Sequence, residues 1–86
     1  MQAEDIKKIL EDKLALDEIH VTGEGSHFQI LAVSDAFEGM SRVKKQQMIY
    51  APLNEFIADG TLHALSIKTF NQEQWQKDKK LLLPDA

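Results

Sequence analysis

Two short apolar segments are separated by a stretch with two glycines, and this pattern restricts the fold more strongly than any other part of the sequence. Residues 19–22 alternate apolar with polar side chains, and residues 28–33 are rich in residue types that favour strands. Gly23 and Gly25 between them supply the backbone freedom that a tight turn requires. The pattern predicts a β-hairpin in which His27 begins the second strand.

Helices are predicted on both sides of this hairpin. Ser41 and Asn71 are suitable N-caps, and Gln74 stands where a capping-box partner of Asn71 is expected. Pro52 favours the first turn of a helix, and Gly60 favours its end. The remaining predicted elements are a first helix over residues 4–15, a second helix over 42–50, a short third helix from 52, a third strand over 62–70 and a final helix from 72.

The predicted order α-β-β-α-α-β-α indicates one α+β domain of 86 residues. A helical crossover joins parallel strands, so the sheet is expected to be mixed and three-stranded, antiparallel in the hairpin and parallel where the third strand joins. Three strands bury little surface alone, and the helices are therefore expected to cover one face, leaving part of the other open to a partner. We expect the domain to span residues 1–80, followed by a short C-terminal tail at 81–86.

The composition excludes several classes of function. Because the chain has no cysteine, it can form neither a disulfide, a thiol nucleophile nor a self-contained thiolate metal site. No apolar segment approaches the roughly 20 residues that cross a bilayer, and no leader pattern is visible, so we expect a soluble, cytoplasmic protein with no membrane partner. Phosphate-loop, dinucleotide and triad motifs are missing from the sequence, which argues against an enzyme and a small-molecule substrate.

The second helix carries a cationic surface. Arg42, Lys44 and Lys45 are its charged residues, and residues 41–50 contain no acid. With Gln46, these side chains can contact phosphates and base edges, and the joint at Pro52 resembles a helix-turn-helix in outline. A solvated surface is the simpler interpretation, because the net charge of −4 disfavours nucleic-acid binding. Arg42, Lys45 and Gln46 are predicted to face outward, since the buried face is expected to comprise Met40, Val43, Gln47 and Tyr50.

Two histidines are candidate metal ligands, His27 at the hairpin and His63 at the third strand. Neutral imidazole is a common ligand, but structural zinc and iron–sulfur clusters each require four ligands, so two histidines supply half a site. The two can approach each other if strands two and three are neighbours. The simpler interpretation makes His27 an ordinary loop residue and His63 a buried or rim residue sharing a strand face with Leu65 and Ile67. His20 is expected to face solvent.

Several motifs together resemble the BolA family, and within it the YrbA-like (IbaG) bacterial branch. The resemblance covers roughly residues 4–76, and the order of the motifs is more specific than any one of them. The matching segments are Gly-Glu-Gly-Ser-His-Phe at 23–28, Phe-Glu-Gly-Met-Ser-Arg-Val-Lys-Lys-Gln-Gln at 37–47, Tyr-Ala-Pro-Leu at 50–53 and Ile-Ala-Asp-Gly-Thr-Leu-His-Ala-Leu-Ser-Ile-Lys at 57–68.

This resemblance implies a fold similar to class II KH domains and a cytosolic monothiol glutaredoxin as partner. BolA-like proteins form a heterodimer with such a glutaredoxin, bridged by a [2Fe-2S] cluster. The partner's cysteine and a glutathione thiol ligate one iron, and histidine from the BolA-like subunit ligates the other. By position, His63 matches the family's C-terminal histidine, and His27 matches the ligand between the first two strands, which is cysteine in some branches. The isolated chain is expected to bind no cluster.

Two hypotheses follow. The first is a non-enzymatic adaptor that shares a [2Fe-2S] cluster with a monothiol glutaredoxin through His63 and His27, in iron–sulfur cluster trafficking or in iron or stress sensing. The alternative is a DNA-binding transcriptional regulator that uses Arg42, Lys44, Lys45 and Gln46, since the family also includes members described as regulators of transcription.

Overall fold

A mixed three-stranded sheet forms the centre of the computed structural model, which describes residues 1–82. Strands β1 (Glu18–Glu24), β2 (His27–Val33) and β3 (Ala64–Phe70) lie in the order β1-β2-β3. β1 pairs with β2 in antiparallel register, and β2 pairs with β3 in parallel register. The predicted sheet is confirmed, and His27 is the first residue of β2 as predicted.

Within the described part of the chain, four α-helices accompany the sheet in the predicted order. They are α1 (Ala3–Lys13), α2 (Arg42–Tyr50), α3 (Asn54–Ala58) and α4 (Gln72–Leu82). Short 3-10 turns at Asp35–Phe37 and Ala51–Leu53 precede α2 and α3. Within residues 1–82, no helix has the length and apolar character that a membrane span requires.

The main core lies between one face of the sheet and helices α1 to α3. Alternate residues of β2 supply its centre, because successive strand side chains point to opposite faces. Phe28, Ile30 and Ala32 are all at most 4% exposed on this face. The buried helical residues packed against this face are Ile6 and Leu10 of α1, Ile49 of α2 and Leu53 of the second 3-10 turn.

A second, smaller cluster lies on the other face of the sheet, beneath α4. The indole of Trp75, only 2% exposed, packs with Leu31, Val33 and Phe70. Helices α1 to α3 thus cover one face as expected, and α4 covers part of the other, because it folds back over the end of the sheet where β2 and β3 finish. We call the face that α4 partly covers the outer face.

The predicted N-caps of α2 and α4 are confirmed. The Ser41 hydroxyl accepts a hydrogen bond from the backbone N–H of Lys44 at 3.2 Å. Asn71 and Gln74 form a reciprocal capping box, with bonds of 2.8 and 3.1 Å between each side chain and the other's backbone N–H. These caps depend on residues three positions apart, and sequence alone therefore predicts them well.

The predicted buried face of α2 was wrong. Val43 is 64% exposed, whereas Ile49 is fully buried, and Lys45 and Gln46 are half-buried. The helix is rotated so that the isoleucine in its last turn enters the main core. The polar residues one turn earlier consequently lie at the boundary of the core instead of facing solvent.

The last helix extends into the segment predicted to be a tail. α4 continues to Leu82, whose side chain packs beside the smaller cluster, whereas Leu81 is 82% exposed. The first two residues assigned to the tail are therefore helical. The remainder of the predicted tail, 83–86, lies outside the described residues.

Candidate metal centre

The β1–β2 hairpin fixes the position of His27. Glu24 and His27 are opposite each other and close a two-residue loop at Gly25 and Ser26. Gly25 has φ 69°, whereas Ser26 has negative φ, a combination that suits a type II′ turn with glycine first. His27 is exposed and shares the outer face with Ala64, its partner across the parallel pair.

Two backbone hydrogen bonds position His63. The carbonyl oxygen of Ser26 accepts from the N–H of His63 at 3.0 Å and from that of Ala64 at 3.1 Å. His63 lies just before β3 and is exposed, so the interpretation of a buried or rim histidine on the face of Leu65 and Ile67 was wrong. Since the strand pleat begins only at Ala64, the direction of the His63 side chain is not set by strand alternation.

The two histidines therefore lie at the same end of neighbouring strands. Adjacent strands are about 4.8 Å apart, and His63 is one residue before the partner of His27. In residues 1–82, no group of three or more histidine, aspartate or glutamate side chains is arranged to hold a metal ion. Two accessible imidazoles are a donor set that fits one iron of a cluster whose other ligands come from elsewhere.

A tight turn at residues 59–61 immediately precedes His63 and lies close to its side chain. An ideal Cβ on Gly60, whose φ is 84°, would lie 3.9 Å from His63 Nε2. One residue earlier, Asp59 accepts a 2.9 Å hydrogen bond from the backbone N–H of Thr61. Hydrogen bonds from the Thr61 side chain and then its backbone hold the pKa of Asp59 below its ordinary value. The turn before His63 is thus stabilised by an ionised carboxylate.

His20 differs from its predicted environment. Its ring is stacked on Trp75 with a centroid distance of 5.3 Å and an interplanar angle of 23°, and its Nε2 lies 3.1 Å from Glu18 Oε1. The expectation that His20 faces solvent was wrong, because α4 covers this part of the outer face. His20 belongs to the packing of α4 and is separate from the histidine pair.

The cationic surface of α2 is smaller than predicted. Arg42 and Lys44 are exposed, but half-buried Lys45 lines a cleft of about 110 Å³ together with Glu38 and Asn71, and Gln46 is half-buried. The predicted outward orientation of Lys45 and Gln46 is therefore corrected. In the predicted helix-turn-helix, α3 would be the recognition helix that enters the DNA groove. It has only five residues, too few for that role.

Two features of the site were not recognised from the sequence: Glu24 opposite His27, and the turn at Asp59–Thr61 beneath His63. The first has a clear signal, because a two-residue loop at Gly25 and Ser26 puts Glu24 directly across from His27. The second could be recognised only from the path of the backbone between α3 and β3, which the sequence does not give.

This sheet order, with helices packed on both faces, defines an α+β domain of the BolA type. The sequence matches the family described as BolA-like protein over residues 5–74. It is 52% identical over 81 residues to the acid stress protein IbaG of Escherichia coli, an alignment covering 94% of this chain and 96% of that protein. The chain belongs to the BolA-like family.

Solved structures agree with this assignment. BolA1 from Arabidopsis thaliana superposes with a TM-score of 0.70 at 30% sequence identity, covering 84% of this chain and 93% of that chain. Yeast Fra2 superposes with a TM-score of 0.70 at 26% identity, covering 96% and 92% of the two chains. The predicted family and fold are confirmed.

Proposed function

We propose that this protein is a cytoplasmic, non-enzymatic adaptor that binds a monothiol glutaredoxin and shares a [2Fe-2S] cluster with it through His63 and His27. The proposal includes iron–sulfur cluster trafficking and iron or stress sensing as the processes served. The similar protein of Escherichia coli is named an acid stress protein, which supports a role in stress sensing.

One observation carries the proposal: the Ser26 carbonyl oxygen ties the backbone of His63 to the turn that precedes His27. Both imidazoles are consequently accessible at one end of the sheet, where a second protein can approach them. Neither histidine is buried or used in packing the core, in contrast to His20.

The chemistry of the side chains agrees with half of a shared site. Cysteine is missing from the sequence, so histidine is the side chain here best suited to bind iron in such a cluster. A bound [2Fe-2S] cluster would supply one-electron chemistry or be passed on as cargo. Neutral imidazoles in place of two thiolates reduce the negative charge around the cluster, which favours a higher reduction potential.

The test mixes the protein with a glutathione-loaded monothiol glutaredoxin carrying [2Fe-2S], and follows visible absorption and circular dichroism together with the mass of the complex. We expect a one-to-one complex with an altered spectrum. His63→Ala is expected to keep the association but bind the cluster poorly, and His27→Ala to weaken cluster binding.

His20→Ala provides the matched control, because it also removes one imidazole but from the packing beneath α4. Its complex with the glutaredoxin is expected to give the same spectrum as the complex of the unmodified protein. An unchanged glutaredoxin spectrum without a complex would refute the proposal. Equal spectra for the unmodified protein and both His27 and His63 variants would refute histidine ligation.

A further inference from the structure

We propose that Glu24 is a positioning residue for His27, accepting a hydrogen bond from the ring nitrogen that does not face the metal. This inference rests on the proposed function, because it concerns how one of the two proposed ligands is oriented. It assigns a specific task to a carboxylate that the fold otherwise leaves unused.

The register of the hairpin brings the two residues together. Glu24 and His27 form the last antiparallel pair before the loop. Side chains directly opposite each other in such a pair point to the same face, with Cβ atoms about 4.5–5.5 Å apart. A glutamate side chain is long enough to reach an imidazole across that distance. Both residues are exposed, so each is free to change rotamer.

Neither the row of Glu24 nor the next row of the outer face contains another charged side chain, and the exposed Lys68 lies two rows away from Ala64 along β3. Ala64 completes the row of Glu24 and His27 across the sheet. The next row consists of the uncharged residues Thr22, Gln29 and Ser66. Among residues 1–82, Glu24 itself has no ion pair. Its carboxylate is therefore available to His27.

Metal-bound histidines usually donate their second ring N–H to a carboxylate, a carbonyl oxygen or water, and this bond fixes the tautomer and the ring direction. The same sheet already shows that such a pair is compatible with this face. His20 Nε2 lies 3.1 Å from Glu18 Oε1, at the other end of β1. Glu24 would offer the exposed His27 the same kind of partner, but from the neighbouring strand instead of from two residues along the same strand. A carboxylate close to a ligand would also lower the reduction potential of the metal group.

The first arm of the test uses the isolated chain and the ring ¹⁵N shifts of its three histidines. Glu24→Gln is expected to change the tautomer balance of His27 and leave His63 unchanged, whereas Glu24→Asp restores the original balance at least in part. Glu18→Gln is the matched control, expected to change His20 only. Unchanged His27 shifts in Glu24→Gln would overturn the proposal.

The second arm uses the glutaredoxin complex loaded with [2Fe-2S]. Glu24→Gln is expected to weaken cluster binding about 10-fold or more, the usual effect of removing such a partner, to shorten the lifetime of the cluster and to raise its reduction potential. A cluster with unchanged lifetime and potential would overturn the inference while the proposed function stands. If the unmodified protein forms no shared cluster, the proposed function fails, and the ¹⁵N shifts still decide whether Glu24 orients His27.

Discussion

The backbone N–H of His63 donates a 3.0 Å hydrogen bond to the carbonyl oxygen of Ser26. Ser26 is the last residue of the hairpin loop, and His27 follows it. The turn and the parallel pairing of β2 with β3 therefore fix the relative position of the two histidine backbones. Changes in the hairpin loop are expected to act on the candidate metal centre through the backbone.

Gly23→Ala is expected to damage the hairpin severely. The φ of 125° at Gly23 is unfavourable for alanine, and the new Cβ would clash with the carbonyl oxygen of His27 and lie 2.8 Å from the Cα of Phe28. The expected cost is about 3 kcal/mol or more in the free energy of unfolding, measured by urea denaturation.

Gly25→Ala is the matched control for that substitution. Its φ is 69°, but its Cβ would meet no atom within 4 Å. Only a backbone penalty is expected, on the order of 1–3 kcal/mol and without the added steric clash of Gly23→Ala. Equal losses for Gly23→Ala and Gly25→Ala would contradict the close approach of Gly23 to β2.

His27→Cys is expected to keep the shared cluster and to lower its reduction potential. A thiolate adds negative charge to the cluster where a neutral imidazole does not. The measurement is a potentiometric titration of the glutaredoxin complex, followed by visible absorption. The proposed ligation by His27 would be contradicted if the potential and spectrum matched those of the unmodified complex.

Ile49→Ala tests the corrected orientation of α2. Ile49 is fully buried in the main core, and its truncation is expected to cost about 2–5 kcal/mol in the free energy of unfolding. Val43→Ala, on the exposed side of the same helix, is expected to change it by no more than about 0.5 kcal/mol. Chemical denaturation of both variants measures the difference, and a larger loss for Val43→Ala would favour the orientation predicted from the sequence.

The pKa of Asp59 is expected to rise toward its ordinary value in Thr61→Val, because the hydroxyl is the first cause of its lowering. A carboxyl group whose pKa is lower in the folded state stabilises the fold above its unfolded pKa of about 3.9. That stabilisation is lost as pH falls through the lowered folded value. A carboxyl ¹³C titration measures the change, and Thr61→Ser, which keeps the hydroxyl, is the control. An unmoved pKa in Thr61→Val would assign the lowering to the backbone N–H.

Sequence reasoning succeeded where the determining contacts are local. The caps Ser41 and Asn71 act on residues three positions away, and the hairpin follows from glycines next to strand-forming segments. The parallel pairing that brings His63 beside Ser26 was inferred from the crossover rule, which depends on the order of elements alone.

The errors concern orientations that depend on tertiary packing. The α2 sequence offers more than one stripe of apolar side chains, and only the position of the main core selects Ile49 over Val43. His20 appeared exposed because alternation within β1 cannot show that α4 folds back onto the outer face. The position of Trp75 against that face supplies the missing information.

Trp75 is the only tryptophan in the sequence, and it belongs to the cluster under α4 instead of the main core. The tryptophan fluorescence of this protein is therefore a signal of one helix and its contact with the sheet. If α4 detaches before the rest of the domain unfolds, fluorescence and far-ultraviolet circular dichroism will give different midpoints. A thermal or chemical transition followed by fluorescence alone would then report the detachment of α4 and underestimate the stability of the domain.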